Sequence, residues 1–138
     1  LVGRENVSFL VFRENRFILD LMEIVPEENV ITIDAKGMFS AMWGSLRAVR
    51  KMRKLRIEAA VDMEFFARSS AIFTYLSGAP VRAGFHGHSG EAPYRGALMS
   101  HELIYNPHFH TAQIFLNMVE ALPEPAGRLP QPIFCMAA

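Results

Sequence analysis

The sequence has a single cysteine and no long apolar run, and each absence removes a class of protein. Cys135 has no second cysteine with which to form an internal disulfide, which is typical of a chain kept in a reducing compartment. No apolar segment approaches the roughly 18 residues that a membrane-spanning helix requires. The first residues include Arg4 and Glu5 and lack the apolar core of a secretory signal peptide. A cytoplasmic protein is therefore predicted.

An excess of either charge is also lacking. The 14 basic residues equal the 14 acidic residues, so overall charge gives no indication of nucleic-acid binding. Hydrophobic residues make up 51% of the 138 residues, which excludes an intrinsically disordered chain. A chain of this length accommodates one ordinary domain and needs no covalent cross-links to fold.

Motifs that mark common active sites are missing as well. The sequence has no G-x-S-x-G nucleophile turn, and the glycine-rich segment GFHGHSGE at residues 84–91 matches neither G-x-x-x-x-G-K-[ST] nor G-x-G-x-x-G. Histidines occur in two i, i+2 pairs, His86 with His88 and His108 with His110, and His101 lies between the pairs. No cysteine or H-E-x-x-H helix accompanies them, so loop and cap roles are favoured and neither a metal nor another cofactor is predicted.

What the sequence does contain is an alternation of short apolar segments with helical ones. The predicted strands are residues 6–12, 29–34, 57–65 and 81–85, and the predicted helices are residues 14–25, 37–54, 67–78 and 108–122. Residues 86–95 are predicted to form a loop, and residues 99–105 are ambiguous. The alternation favours a three-layer α/β domain, Rossmann-like, whose mainly parallel sheet is covered on both faces. Ligands of such sheets bind beyond the carboxyl ends of the strands.

Polar residues gather where the third predicted strand gives way to a helix. Asp62 and Glu64 end the strand, and Arg68 and Ser69 begin the helix. Unpaired backbone N–H groups and the positive end of the helix dipole favour an anion there, and arginine adds a bidentate contact to a phosphate or carboxylate. The structural alternative is a serine N-cap with an ion pair between Arg68 and Glu64.

The long second helix ends in a basic run, RAVRKMRKLR. Arg47, Arg50, Lys51 and Lys54 follow the i, i+3, i+4, i+7 spacing and predict one stripe on the helix. An anionic membrane surface or a phosphorylated acceptor suits such a stripe, and a solvated face with cations near the negative end of the dipole is the alternative. The opposite, apolar face is predicted to consist of Phe39, Met42, Trp43, Leu46 and Val49.

Residues 61–85, VDMEFFARSSAIFTYLSGAPVRAGF, resemble the acceptor-side domain of glycosyltransferase family 9, the bacterial family that contains the lipopolysaccharide heptosyltransferases. The resemblance lies in a strand ending in an acid, an Arg-Ser helix start, a small-residue turn and an Arg-x-Gly-aromatic strand. In this sequence those features are Asp62, Arg68-Ser69, Gly78-Ala79 and Arg82-Ala83-Gly84-Phe85. Residues 105–122 are similar to the family's histidine-containing helix entry, aligned on His110, and residues 7–34 look like its second strand, helix and third strand.

The resemblance implies one half of a GT-B architecture, in which the N-terminal domain binds a sugar acceptor and the C-terminal domain binds a nucleotide-activated sugar. It implies an inverting transfer without a metal, in which a carboxylate deprotonates the acceptor hydroxyl. The family is bacterial and its members are cytoplasmic, and the basic stripe described above would hold such a protein near the anionic lipid of the inner membrane. The residues implied to contact a saccharide or phosphorylated acceptor are Asp62, Glu64, Arg68, Ser69 and His110.

Two parts of the family pattern are missing from these residues: the first, central strand with the Gly-Asp loop that supplies the carboxylate, and the nucleotide-binding domain. Asp62 and Glu64 match a different strand and do not inherit the role of that loop. The expectation is a partial domain, residues 1–122, with a proline-bearing tail or linker, residues 123–138, that does not transfer sugar alone. The alternatives are a stand-alone, non-catalytic binding protein derived from that fold and a small enzyme that uses Asp62, Glu64 and His110.

A missing central strand has a structural consequence. In a doubly wound sheet the first strand lies between the second and the fourth, so its absence leaves two strand edges unpaired. Residues 7–12 would then pair with residues 57–65, or two chains would pair their open edges as a symmetric homodimer. The homodimer is the favoured prediction.

Overall fold

A computed structural model describes residues 3–34, 36–65, 67–88, 97–124 and 126–128. The chain divides into two compact units, Leu1–Leu55 and Arg56–Ala138. Both contain helices and strands, and every strand pair in the described residues is parallel. The prediction of an α/β chain with parallel strands is confirmed.

The first unit contains two strands, each followed by a helix. The elements are β1 (Phe9–Phe12), α1 (Arg16–Met22), β2 (Val30–Ile33) and α2 (Met38–Leu55). β1 and β2 form a two-stranded parallel sheet, in register from Phe9 with Val30 to Phe12 with Ile33. Helix α1 ends where Glu23 adopts a left-handed conformation, φ 46°, and Pro26 follows shortly after.

The apolar face predicted for α2 is exposed and does not pack against β2. Ala48 and Met52 are the buried residues of the helix, whereas Phe39, Met42, Trp43 and Leu46 are 40 to 71% exposed. The small residues explain this orientation. A Cβ built on Gly44 would lie 3.5 Å from the backbone nitrogen of Asp34 and 3.7 Å from Cγ2 of Ile33. Gly44 and Ala48 therefore allow α2 to approach β2 closely, and the large apolar side chains face outward.

The second unit is built on one parallel sheet. Its elements are β3 (Ala59–Asp62), α3 (Arg68–Leu76), β4 (Val81–His88), β5 (His101–Tyr105), α4 (Thr111–Glu120) and β6 (Gly127–Arg128). The strands lie side by side in chain order, β3-β4-β5-β6. The ambiguous residues 99–105 thus contain a strand, and the predicted loop at residues 86–95 begins as the last part of β4. Residues 89–95 of that loop and residues 129–138 of the predicted tail lie outside the described residues.

The core of the second unit lies between the sheet and α4. Ala83, Phe85 and Leu103 pack against Ile114 and Met118, which are one helical turn apart on α4. Phe65, just after β3, stacks on Phe85 at 5.3 Å between ring centroids and on Phe115 at 5.6 Å. Offset aromatic contacts of this kind add to the hydrophobic stabilisation.

The opposite face of the sheet carries polar residues. Successive residues of a strand point to alternate faces, and Asp62, Gly84 and Glu102 occupy one row across β3, β4 and β5. The Asp62 carboxylate contacts Ser70 of α3 on this face, whereas Phe85 and Leu103 contact α4 on the other. The second unit is therefore three-layered, with its polar row beneath α3.

The alternative in which residues 7–12 pair with residues 57–65 is wrong for the described residues. β1 belongs to the two-stranded sheet, and β3 is the terminal strand of the four-stranded sheet, paired with β4. The four consecutive residue pairs between β1 and β2 place the buried Val30, Ile31 and Ile33 against β1, and this apolar packing fixes the partner of β1.

Candidate functional site

Asp62 is a buried carboxylate at the carboxyl end of β3. It is 4% exposed; Oδ1 accepts a hydrogen bond from the backbone N–H of Glu64 at 3.1 Å, and Oδ2 accepts one from the Ser70 hydroxyl, also at 3.1 Å. A buried carboxylate is costly unless it is hydrogen-bonded, so both bonds stabilise the turn from β3 into α3. Asp62 therefore links the end of β3 to the first turn of α3 through hydrogen bonds.

The first turn of α3 carries the polar residues predicted for anion binding. Arg68 is the first helical residue, and both Arg68 and Ser69 are exposed. The cap position is occupied by Ala67, which has no side-chain oxygen to accept from the first N–H groups, so the alternative of a serine N-cap is wrong. The Ser70 hydroxyl lies 2.9 Å from the carbonyl oxygen of Ala67 and reaches backward to Asp62 rather than forward to the helix.

The remaining predicted residues take different positions. Glu64 is exposed two residues beyond Asp62 and joins it through the backbone bond already described. His110 is the N-cap of α4, where its Nδ1 accepts from the backbone N–H of Ala112 at 3.2 Å. The polar residues from Asp62 to Ser69 follow β3, whereas His110 follows β5. Because β4 lies between these two strands, β3 and β5 are about 10 Å apart. Asp62, Glu64, Arg68 and Ser69 therefore form one polar turn, and His110 follows a different strand at the same edge of the sheet.

A histidine–carboxylate pair beside the polar row was missed by the sequence analysis. The Nδ1 atom of His86 lies 3.4 Å from Oε2 of Glu102, and the two side chains are only 18% and 21% exposed. The register shifts between Phe85 and Gly87, so His86 is the extra residue of a β-bulge. Residues 99–105 were not recognised as a strand, and without that strand no register could bring Glu102 beside His86.

The space above Gly84 is filled. A Cβ on Gly84 would lie 3.0 Å from Sδ and Cε of Met99 and 3.2 Å from Cβ of Asp62. Met99 is buried and covers the middle of the polar row. The exposed groups are therefore those of the turn from Glu64 to Ser69, at the edge of the sheet.

Arg82, from the Arg-x-Gly-aromatic segment, has a structural role. Its Nε donates to the carbonyl oxygen of Leu98 at 2.8 Å, one terminal nitrogen donates to that of Ala79 at 2.6 Å, and the guanidinium lies 5.5 Å from the centre of the Tyr75 ring. Ser77 is the C-cap of α3, and Gly78 follows it in the left-handed conformation, φ 83°, which ends the helix. These contacts tie the end of α3 to the start of β4.

The other histidines also make structural contacts. His101 is buried, with Nε2 2.7 Å from the carbonyl oxygen of Glu124 and Nδ1 2.8 Å from the Ser100 hydroxyl. The carbonyl can only accept, so Nε2 carries a proton, and in the neutral ring Nδ1 is left to accept from the Ser100 hydroxyl. No group of three or more His, Cys, Asp or Glu side chains in the described residues is arranged to hold a metal ion. The side chain of His88 and all of Cys135 lie outside the described residues.

The basic stripe of α2 is only partly continuous. Arg47, Arg50 and Lys54 are exposed, but Lys51 is half-buried and its Nζ donates to the carbonyl oxygen of Glu28 at 2.5 Å. Lys51 therefore helps to anchor the helix within its own unit. None of the helices in the described part of the chain combines the length and apolar character needed to cross a bilayer.

A small cavity between β5 and α4 does not extend the site. Its volume is about 20 Å³, and Leu103, Phe109 and Asn117 are among its lining residues. That volume suits a water molecule and not a sugar.

No family model, no curated protein and no solved structure matches the chain.

Proposed function

We propose that this chain is the acceptor-binding part of a glycosyltransferase with a GT-B architecture, which binds a phosphorylated saccharide of the lipopolysaccharide type and is inactive in transfer on its own. The observation that carries the proposal is the exposed turn from Glu64 to Ser69 at the carboxyl edge of the sheet, where Arg68 opens α3 behind a cap that lacks a side-chain acceptor. This is the edge at which parallel α/β sheets bind ligands. The sequence resemblance of residues 61–85, which include this turn, also supports the proposal.

The chemistry of the turn suits a sugar phosphate. The first N–H groups of α3 and the positive end of its dipole attract an anion, and the Arg68 guanidinium adds paired donors to phosphate oxygens. The Ser69 hydroxyl and the Glu64 carboxylate can accept hydrogen bonds from sugar hydroxyls. Asp62 takes no direct part, because both of its oxygens already hold the turn.

His110 has a secondary place in the proposal. Its Nδ1 accepts the bond from Ala112, so in the neutral ring the proton is on Nε2. His110 is exposed, which leaves that N–H group able to donate to an acceptor oxygen at the same edge of the sheet.

The test is binding of a phosphorylated lipopolysaccharide core oligosaccharide, measured by isothermal titration calorimetry. Arg68→Ala should weaken binding about tenfold or more, since a hydrogen bond to a charged group contributes roughly 1.5–3 kcal/mol. Arg50→Ala, which removes an exposed arginine from α2, is the matched control and should bind normally. The same oligosaccharide after phosphatase treatment should bind weakly to both variants. Unchanged affinity of Arg68→Ala would remove Arg68 from the site, and a loss confined to Arg50→Ala would move the site to α2.

A second candidate rests on the edge of the larger sheet. β3 is the terminal strand of that sheet and has its ladder partner on the β4 side only, within the described residues. An open parallel edge is a pairing surface for another strand. The alternative proposal is a non-catalytic interaction protein that forms a homodimer through this edge.

A further inference from the structure

Helix α2 exposes large apolar side chains along the first half of its outer face. Phe39 and Trp43 are one turn apart, Met42 and Leu46 lie beside them, and Met38 begins the row; Met38 and Phe39 are 81% and 71% exposed. These side chains are not needed for packing within the unit, because the inward face of the helix uses Ala48 and Met52. An exposed apolar patch of this size marks an interaction surface.

The second half of the same face is basic, so the apolar and basic residues share one exposed side of α2 and do not lie on opposite faces as the sequence predicted. Arg47 and Arg50 follow Trp43 by four and seven residues, and Lys54 lies one turn beyond Arg50, so these exposed cations continue the line of the apolar side chains. The 18 residues of α2 contain no aspartate or glutamate. The face therefore runs from apolar to cationic along the helix, with no negative charge of its own.

We infer that the outer face of α2 docks on an anionic lipid surface, with Phe39, Met42 and Trp43 among the headgroups and upper acyl chains and with Arg47, Arg50 and Lys54 on lipid phosphates. Tryptophan and phenylalanine beside arginine and lysine are the composition of helices that lie in a membrane interface. The single bond from Lys51 to Glu28 and the packing of Ala48 and Met52 hold the helix to its own unit from the other side.

The charge pattern favours lipid over a second copy of the chain. In a symmetric contact between two α2 helices, the cations of one helix would meet either the cations or the apolar side chains of the other. Neither arrangement supplies a counter-charge, because α2 has no acidic residue. A bilayer containing anionic lipid supplies both an apolar layer and the opposite charge.

The two halves of the face also predict the tilt of α2 relative to the bilayer surface. An α-helix of this length is about 27 Å long, so its apolar and cationic halves contact the surface about two turns apart. The amino-terminal half enters more deeply than the carboxyl-terminal half, and the axis of α2 tilts with Met38 lowest.

Trp43 provides the measurement, because it is the only tryptophan of the chain. A basic residue near an anionic membrane surface contributes about fivefold to binding, so the full chain is titrated with vesicles of phosphatidylcholine containing about one part in three of anionic phosphatidylglycerol. We expect a blue shift of Trp43 emission, quenching by brominated acyl chains, and reversal by salt. Vesicles of phosphatidylcholine alone should give little change.

Paired variants separate the two halves of the face. Arg47→Gln with Arg50→Gln should weaken binding to anionic vesicles about 20-fold, whereas Arg4→Gln with Arg13→Gln, which removes the same charge elsewhere in the unit, should have little effect. Phe39→Ser with Met42→Ser should abolish quenching by brominated chains, and Leu116→Ser on α4 should not. All replaced side chains are exposed, and circular dichroism checks that each variant is folded.

Three outcomes would overturn the inference. The first is equal binding to neutral and anionic vesicles. The second is unchanged binding of the Arg47→Gln, Arg50→Gln variant. The third is a blue shift that depends on protein concentration without vesicles, which would identify a second copy of the chain as the occupant of this face.

Discussion

Gly84 occupies a tightly packed position of the polar row. A methyl group added there would lie 3.0 Å from the thioether end of Met99 and 3.2 Å from the Cβ of Asp62, so these neighbours would have to move by a few tenths of an ångström. Met99 has a flexible end and can move, but the Asp62 Cβ is fixed by the two hydrogen bonds of its carboxylate. The row thus links the packing of β4 to the geometry of the turn after β3.

We predict that Gly84→Ala lowers the free energy of unfolding by about 1–3 kcal/mol, because it overpacks a filled interior. Urea denaturation of the full chain, followed by circular dichroism, measures the change. Gly37→Ala is the control: its added Cβ has only the Ser40 hydroxyl oxygen nearby, at 3.5 Å, and should alter stability by less than about 0.5 kcal/mol. Equal stability of the two variants would show that Met99 and Asp62 adjust without cost.

At this scale the sequence predicted where the polar residues lie but not what they contact. An apolar run followed by Asp62 and Glu64 was enough to place both at the end of a strand. Whether Asp62 faces solvent or closes a turn depends on Ser70, eight residues later and in the first turn of α3. That contact depends on the path of the connection between β3 and α3, and no local sequence pattern specifies this path.

Helix α4 begins at an unusual cap, and this cap gives the clearest test of an element. His110 satisfies the N–H of Ala112 through Nδ1. Removal of a side-chain cap costs about 0.5–2 kcal/mol. His110→Ala should therefore lower the thermal midpoint, and His110→Asn, which keeps a capping oxygen, should restore it.

The same two variants distinguish capping from binding. If His110 also contacts the acceptor, His110→Asn will be as stable as the parent chain but will bind the phosphorylated oligosaccharide less tightly. If capping is its only role, affinity will be unchanged in His110→Asn. A stable His110→Ala variant would contradict the capping role itself.

Helices and strands were predicted well as elements, but the orientation of α2 was not. Periodicity groups residues that share a face, and it grouped Phe39, Met42, Trp43 and Leu46 correctly. It does not say which face packs inward. Gly44 and Ala48 face β2 and approach it closely, and the larger apolar side chains face away from it. The bulge at His86 was likewise invisible, because the sequence does not show an extra residue within a strand.

On the scale of the whole molecule, the strands divide between two sheets, and β3 ends the larger one. The sequence predicted the α/β class from the alternation of elements, but it left the strand edges without a partner. The division was not predictable from patterning, because the apolar character of a strand does not specify which neighbour it pairs with. Pairing is decided by register and by the turn lengths between strands.

The favoured homodimer remains a prediction and has a direct test. If two chains pair through β3, light scattering should give twice the mass of the chain, and Ala59→Lys should shift the species toward the monomer. Ala59 is exposed on β3, so a lysine there places a charge at the edge without disturbing the core. Gly37→Ala serves again as a control that should leave the mass unchanged. A monomer at every concentration of the parent chain would exclude the dimer.

The order of strands in the second unit has a consequence for how the protein is made. Because β3, β4, β5 and β6 lie side by side in the order of synthesis, each strand emerging from a ribosome finds its only required neighbour already in place. Each pairing closes only the connection between consecutive strands, so its loop-closure entropy is smaller than in a strand order that joins distant parts of the chain. The sheet can therefore grow during translation one strand at a time, and no strand has to wait for a distant part of the chain.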